Sequence, residues 1–341
     1  MVFITNFFDM KRIIISLSIL IGFCSIAKSQ DLNFSQYYET PLLRNPALAG
    51  IFNGDVRIKA NYKNQWGSIA VPFKTIAFSG EYKMPLNNAA GDWVTLGLQA
   101  TSDAAGEINL KKTALLPVIS FNKSLSQIND SYLSIAFIGG AVNTNFDPTK
   151  ISTITKEVIS NSGYTYYDIG AGLTYSSNYG DDIRYYLGAA MYHINNPKLN
   201  YFATNSDYSI MGRKLVINGG VSAQTGDNNK VQGFVDYIKQ DGNEQFLAGM
   251  LYGVELNRTY SENKVLGVNF GAFFRWGDAL IPVVNLDVYD WNFGLSYDVN
   301  ISKLNTYTQY KGGLELSVTY RAKLNRRTMA GDAVRCPGAG F

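Results

Sequence analysis

Histidine and cysteine are almost missing from this chain, and most site chemistry goes with them: among 341 residues there are one His and two Cys. The lone His193 excludes a two-histidine metal site and is the only base a nucleophile triad could use. No Ser or Asp nucleophile stands at a suitable spacing from it. Cys24 lies in a leader-like N-terminus, so after cleavage Cys336 would be alone, a free tail thiol that can form neither an intrachain disulfide nor a cysteine metal site. A lipoprotein reading of Cys24 is opposed by the bulky Phe23 before it, where a small residue belongs. Long apolar runs are also missing: no segment reaches the roughly 18–20 residues that a membrane helix needs. Charge is scarce as well, at 17% against about 25% in ordinary soluble domains. No dense basic patch appears, which leaves nucleic acid without a footprint. The residues imply no cofactor, no metal and no catalytic centre.

What is abundant is aromatic: 23 Tyr, 19 Phe and 32 Gly, with a mean hydropathy of -0.07. The pattern matters more than the amounts. In WNFGLSYDV, Trp291, Phe293, Leu295, Tyr297 and Val299 alternate with Asn292, Gly294, Ser296 and Asp298. A period of two is a strand with one apolar face and one small or polar face. Repeated along the chain, it describes a sheet with lipid outside and water inside, the pattern of a transmembrane antiparallel β-barrel.

Candidate strands cover residues 56–66, 73–83, 92–102, 110–121, 132–144, 164–176 and 183–194, then 213–225, 230–240, 244–257, 264–275, 279–289, 291–301 and 312–321. That is about fourteen, and an even number puts both ends of the barrel in the periplasm. The two longest gaps, 145–163 and 195–212, follow the fifth and seventh strands, where parity places external loops; the gaps after the ninth and eleventh are short. Glycines in Asp168-Ile169-Gly170-Ala171-Gly172 and Gly219-Gly220 fall inside strands, which suits curvature or close packing and excludes a phosphate loop.

The expected organisation is a signal peptide over 1–29, a pre-barrel segment over 30–55, the barrel over 56–321 and a periplasmic tail over 322–341. Lys11 and Arg12 precede the apolar run IIISLSILIGF, and Ala27 and Ser29 suit a signal peptidase; translation could start at Met1 or Met10. Lys11, Arg12 and Lys28 against Asp9 account for +2 of the net +3. The mature chain is therefore close to neutral and names no strongly charged partner.

Trp66, Trp93, Trp276 and Trp291 stand at strand ends, where an interfacial girdle would place them, and His193 suits the same zone. Arg184, Arg275, Asp298, Glu315 and Arg321 are costly in lipid, so they are expected in the lumen or at its rim. The tail carries Lys323, Arg326, Arg327 and Arg335, a candidate contact for periplasmic machinery. Terminal Phe341 offers the competing reading of an insertion signal, although Leu314, Leu316 and Val318 already give the last strand the required apolar pattern.

Several blocks together resemble the PorP/SprF family: DLNFSQYYETPLLRNPALAG (31–50, with Asn45 and Pro46), NYKNQW (61–66, with Asn61, Tyr62 and Trp66) and YYLGAAMYHINNPK (185–198, with His193). So do the stretch from Leu266 to Leu304, which contains Arg275, Trp276 and Asp278, and GGLELSVTY at 312–320. The resemblance implies an outer-membrane barrel of the type IX secretion system of Gram-negative Bacteroidota, linked in some members to gliding motility. Implied partners are outer-membrane lipid, secretion components in the periplasm and outer membrane, and secreted cargo with a C-terminal sorting domain. No catalytic residue is carried over. A general porin or small-solute transporter and a structural scaffold for the apparatus are the alternatives, and whether 30–55 fills the lumen is open at this point.

Overall fold

The computed structural model describes residues 34–324 except 66–71, 87–90, 107–108, 148, 150–162, 200–208, 260–263 and 303–310. The expected signal peptide, Trp66, Arg326, Arg327, Arg335, Cys336 and Phe341 lie outside the described residues.

Sixteen strands are described. The first seven are β1 (Val56–Gln65), β2 (Phe73–Pro85), β3 (Trp93–Ala105), β4 (Leu110–Ser126), β5 (Ser131–Asn145), β6 (Gly163–Tyr179) and β7 (Ile183–Tyr192). Two short strands follow, β8 (Lys198–Leu199) and β9 (Ser209–Ile210). Then come β10 (Lys214–Gly226), β11 (Asn229–Gln240), β12 (Asn243–Thr259), β13 (Lys264–Arg275), β14 (Ala279–Val288), β15 (Trp291–Asn300) and β16 (Lys311–Ala322). Fourteen of them form one closed antiparallel barrel, in which each strand pairs with its neighbours and β16 returns to β1. The pair β8–β9 is a separate small sheet in the connection between β7 and β10. Closure runs unbroken from Val56↔Ala322 to Gln65↔Gly313, so no strand edge is left to the bilayer.

Alternation explains the wall. On β1, Arg57, Lys59, Asn61 and Lys63 are each 3% exposed and face inward, while Ile58 is 40% exposed and faces out. On β15, Trp291, Phe293, Leu295 and Tyr297 face out, and Asn292, Ser296 and Asp298 face in. Turn chemistry closes the short connections: Asp241 and Gly242 both have positive φ (49° and 79°), the backbone a two-residue hairpin of matching twist requires.

Two sequence expectations fail here. The interior is not uniformly polar: Ala114, Leu116 and Val118 on β4, Ile138 and Val142 on β5, and Val216 on β10 are buried in one apolar cluster. A second gathers Phe234, Leu247, Leu251, Phe273, Ile281 and Val283. Trp93 is no girdle residue either. It is 4% exposed, tilted against Tyr132 at 4.4 Å between centroids, with the Lys83 ammonium over its ring. It shares the inward parity of Thr95 and Gln99, whereas Trp276 and Trp291 face outward.

Candidate functional site: the lumen and its N-terminal segment

Inside the barrel lies the chain's own N-terminal part. Residues 34–52 form a 3₁₀ turn (Tyr37–Glu39), a single α-turn (Pro41–Arg44) and a second 3₁₀ turn (Pro46–Leu48). Prolines open the latter two, the helix position where a missing N–H costs nothing. Asn45 caps the second 3₁₀ turn, its Oδ1 accepting from the Ala47 N–H at 2.9 Å. Leu42, Asn45, Ala47, Ala49 and Phe52 have no exposed surface.

The segment crosses the lumen. Near its start, the Ser35 and Gln36 N–H groups donate to the two carboxylate oxygens of Glu315 at 2.7 and 3.0 Å. Lys63 donates to Ser35 Oγ at 2.9 Å and lies 3.6 Å from Asp298. Asp298 holds Arg275 at 2.7 Å, and Arg275 holds Asp278 in the next turn at 2.5 Å. At the other end, the Asp55 N–H donates to the Ala322 carbonyl at 2.8 Å, and Asp55 Oδ2 accepts from the Leu324 N–H. The segment thus begins near the end that carries the long connections and finishes at the end where β1 starts and β16 stops.

Between these ends it meets two kinds of wall. Glu39 pairs with Lys59 at 2.5 Å and accepts from Thr319 Oγ1 at 3.2 Å. Burial alone would raise the Glu39 pKa; the charge and hydrogen bond of Lys59, with Arg321 behind it, outweigh burial and hold the carboxyl below its ordinary value. Tyr38 stacks on Phe234 and Phe273 at 5.1 and 4.9 Å. Arg44 grips Asp236 through Nε at 2.7 Å and through a second, shorter bond, donates to the Tyr186 hydroxyl at 3.0 Å and lies over the Tyr37 ring. Asp236 outweighs the burial that would lower the Arg44 pKa and raises it, so the guanidinium stays charged.

Asn45 fills a notch on the far side, donating to the Leu173 carbonyl at 3.1 Å, Thr174 Oγ1 at 3.0 Å and Asn218 Oδ1 at 3.1 Å. Glycine makes the notch: a Cβ on Gly172 would stand 2.0 Å from Asn45 Oδ1, and one on Gly188 2.6 Å from Asn45 Nδ2. Close approach is thus a specific use of these strand glycines. Leu42 packs in the β4–β10 apolar cluster, its carbonyl accepting from the Tyr192 hydroxyl at 2.6 Å. Lower down, Glu81 takes the Gly50 N–H and a two-bond Arg57 guanidinium at 2.7 and 2.8 Å. Phe52 lies beneath Arg57 and Lys83.

The residues singled out in the sequence distribute as follows. Asn45, Pro46, Asn61, Asp298 and Glu315 are buried inside, and Arg275 spans from the interior to Asp278 at the rim. Arg184 and Arg321 are half-buried at the strand ends where the short turns lie, and Lys323 is exposed beside them. Tyr62, paired with Ile76 and Leu316, belongs to the outer face. His193 corrects an expectation: it is 2% exposed, and its Nδ1 lies 2.9 Å from Asp168 Oδ1. Its φ of 57° breaks the alternation, so Tyr192 and His193 are both buried. The structure does not join these into one cluster, and no group of three His, Cys, Asp or Glu side chains converges as metal ligands among the described residues.

Sequence reasoning missed Glu39, Arg44, Lys59, Lys63 and Asp236. For Lys59 and Lys63 the signal existed, because Arg57, Lys59, Asn61 and Lys63 repeat at i, i+2 on one face. For Arg44 it did not, since nothing in Leu42-Leu43-Arg44-Asn45 names a partner 192 residues away.

The sequence matches the family model described as "Type IX secretion system membrane protein PorP/SprF" over residues 26–320. Among solved structures, it is similar to CdiB from Acinetobacter baumannii (9% identity, TM-score 0.42), with 78% of this chain covered. The chain spans 60% of that protein's length. It is also similar to the CymD monoaromatic hydrocarbon channel (12% identity, 84% of this chain and 94% of that one, TM-score 0.44). A TodX monoaromatic hydrocarbon channel mutant gives 9% identity, 84% and 94% coverage, and a TM-score of 0.47. No curated protein matches the sequence.

Proposed function

The chain belongs to the PorP/SprF family of type IX secretion system membrane proteins and is an outer-membrane barrel; from that premise we propose that it supports export or surface attachment of large cargo proteins with C-terminal sorting domains, gliding adhesins among them. In this reading the barrel is a non-enzymatic partner of secretion components in the outer membrane and periplasm. The observation that carries it beyond family membership is the filled lumen. Arg44, Asn45 and Glu39 tie the N-terminal segment to opposite walls, which argues against the general porin, whose function needs an open bore.

Deleting the gene tests the proposal. Cargo with the sorting domain is expected to disappear from the cell surface and accumulate in the periplasm or medium. Normal surface cargo together with lost uptake of small solutes would favour the porin instead. The tail enters the same reading as a periplasmic handle, motivated by Lys323, Arg326, Arg327 and Arg335 beyond the last strand. With a stop codon after Arg321, the barrel should insert at normal levels while cargo stays behind. Failure to insert would make the tail an assembly element.

A further inference from the structure

The wall formed by β14, β15, β16 and β1 contains buried polar atoms with no protein partner. Among them are Asn61 Nδ2, Asn285 Oδ1, Asn292 Oδ1, Ser296 Oγ and Asp298 Oδ1, on side chains between 2% and 6% exposed. Register places them along one track. Asn61 faces Ser317, Ser317 faces Gly294 and Gly294 faces Asn285, which sets Asn61 and Asn285 at one level. Ser296 is one inward position to one side of Gly294, and Asn292 one to the other.

The chemistry of the set selects the occupant. Three of the atoms are acceptors that need a donor, one is a donor that needs an acceptor, and the serine hydroxyl can be either. A cation would satisfy only the carbonyl and carboxylate oxygens and an anion only the amide N–H. Water, which donates and accepts, satisfies all five, and buried polar groups without a protein partner are where structural water collects. The flanking charges include both signs, with Lys59 and Lys63 near Glu39, Asp298 and Glu315. On the opposite wall, Leu42 and Ala49 seal against Leu116, Val118, Ile138 and Val216, and the unpaired polar atoms there, Thr95 Oγ1 and Asn218 Nδ2 among them, lie on the separated strands β3 and β10 and form no continuous track.

We propose that a file of water runs beside the N-terminal segment along the β14–β15–β16–β1 wall, so that the filled barrel passes water and small ions of either sign while excluding solutes of sugar size. Gln36 is its narrowest point. A Cβ on Gly294 would lie 2.5 Å from Gln36 Oε1, and that oxygen accepts from Ser317 Oγ at 2.9 Å.

The test uses the purified full-length barrel in planar bilayers with potassium chloride, and in sugar-loaded liposomes. The intact protein should show a small, steady conductance with little preference between cation and anion, and no sugar-driven swelling. Ser296→Leu should lower that conductance at least about threefold by drying the track, and Gln36→Ala should raise it. Folding is checked by heat-dependent gel migration; if Ser296→Leu does not fold, Asn292→Leu on the same strand replaces it. An electrically silent intact barrel, passage of sugar, or a conductance indifferent to both substitutions would overturn the proposal.

Discussion

One short segment touches two unlike walls of the same barrel. Against β1, β15 and β16, residues 35–39 are held by charge: Glu315 takes two N–H groups, and Lys59 and Lys63 reach Glu39 and Ser35. Against β4–β7 and β10, residues 42–49 are held by shape: Leu42 and Ala49 sit in an apolar cluster, and Asn45 fits a notch left by glycines. Buried ion pairs hold well only while every partner is present, because an abandoned charge remains desolvated. Apolar packing degrades in proportion to the volume removed. The two ends of the segment should therefore fail in different ways.

Removing both contacts at once has the largest effect. Deleting residues 30–50 should raise single-channel conductance on the order of tenfold or more, since fourteen strands enclose a wide bore. An unchanged conductance would mean that other parts of the chain close the lumen. Next comes Arg44, the one charged tie near the middle. Arg44→Met strands Asp236 and should cost about 3–5 kcal/mol, read as a lower temperature for loss of the compact gel form. Adding Asp236→Leu should restore most of it; no rescue would mean that packing, and not the stranded charge, dominates there.

A matched pair sharpens the contrast between the walls. Leu42→Ala should cost about 2–5 kcal/mol by leaving a cavity, and Glu315→Gln about 1.5–3 kcal/mol by weakening charge-assisted bonds. Both penalties should persist in 1 M salt, because buried pairs are screened little. A Glu315→Gln penalty that vanishes in salt would show the charged wall open to bulk solvent. The smallest effect is from acid. The Glu39 carboxyl sits below its ordinary value of 4.5, so its contribution is complete above that value and lost only as pH falls through the lowered one. The difference in conductance between the intact barrel and Glu39→Gln should stay constant down to about pH 5 and shrink only below the ordinary carboxylate range; a difference that already shrinks at pH 6 would mean that Glu39 is not held in its charged form.

Particular residues show how far the sequence could be read. The fourteen apolar–polar runs became the fourteen barrel strands, because a sheet between lipid and lumen imposes its period on the residues themselves. Trp93 was legible and misjudged: its parity with Thr95 and Gln99 pointed inward, while its place at a strand end suggested a girdle. Leu116 and Val118 were not legible, because Leu115 and Ile119 beside them are equally apolar and alternation has no contrast to report. His193 escaped for a third reason, its left-handed backbone turning two consecutive side chains the same way.

By itself, then, the sequence determined what is periodic and local: strand number, the lipid-facing residues, the short turns and the even parity of the barrel. The tertiary structure alone decided what occupies the interior. Arg44 meets Asp236, Glu39 meets Lys59 and Asn45 meets Gly172 only once the barrel closes around the segment. Contacts across a lumen follow from closure and strand register, and these bring together residues whose separation along the chain carries no signal.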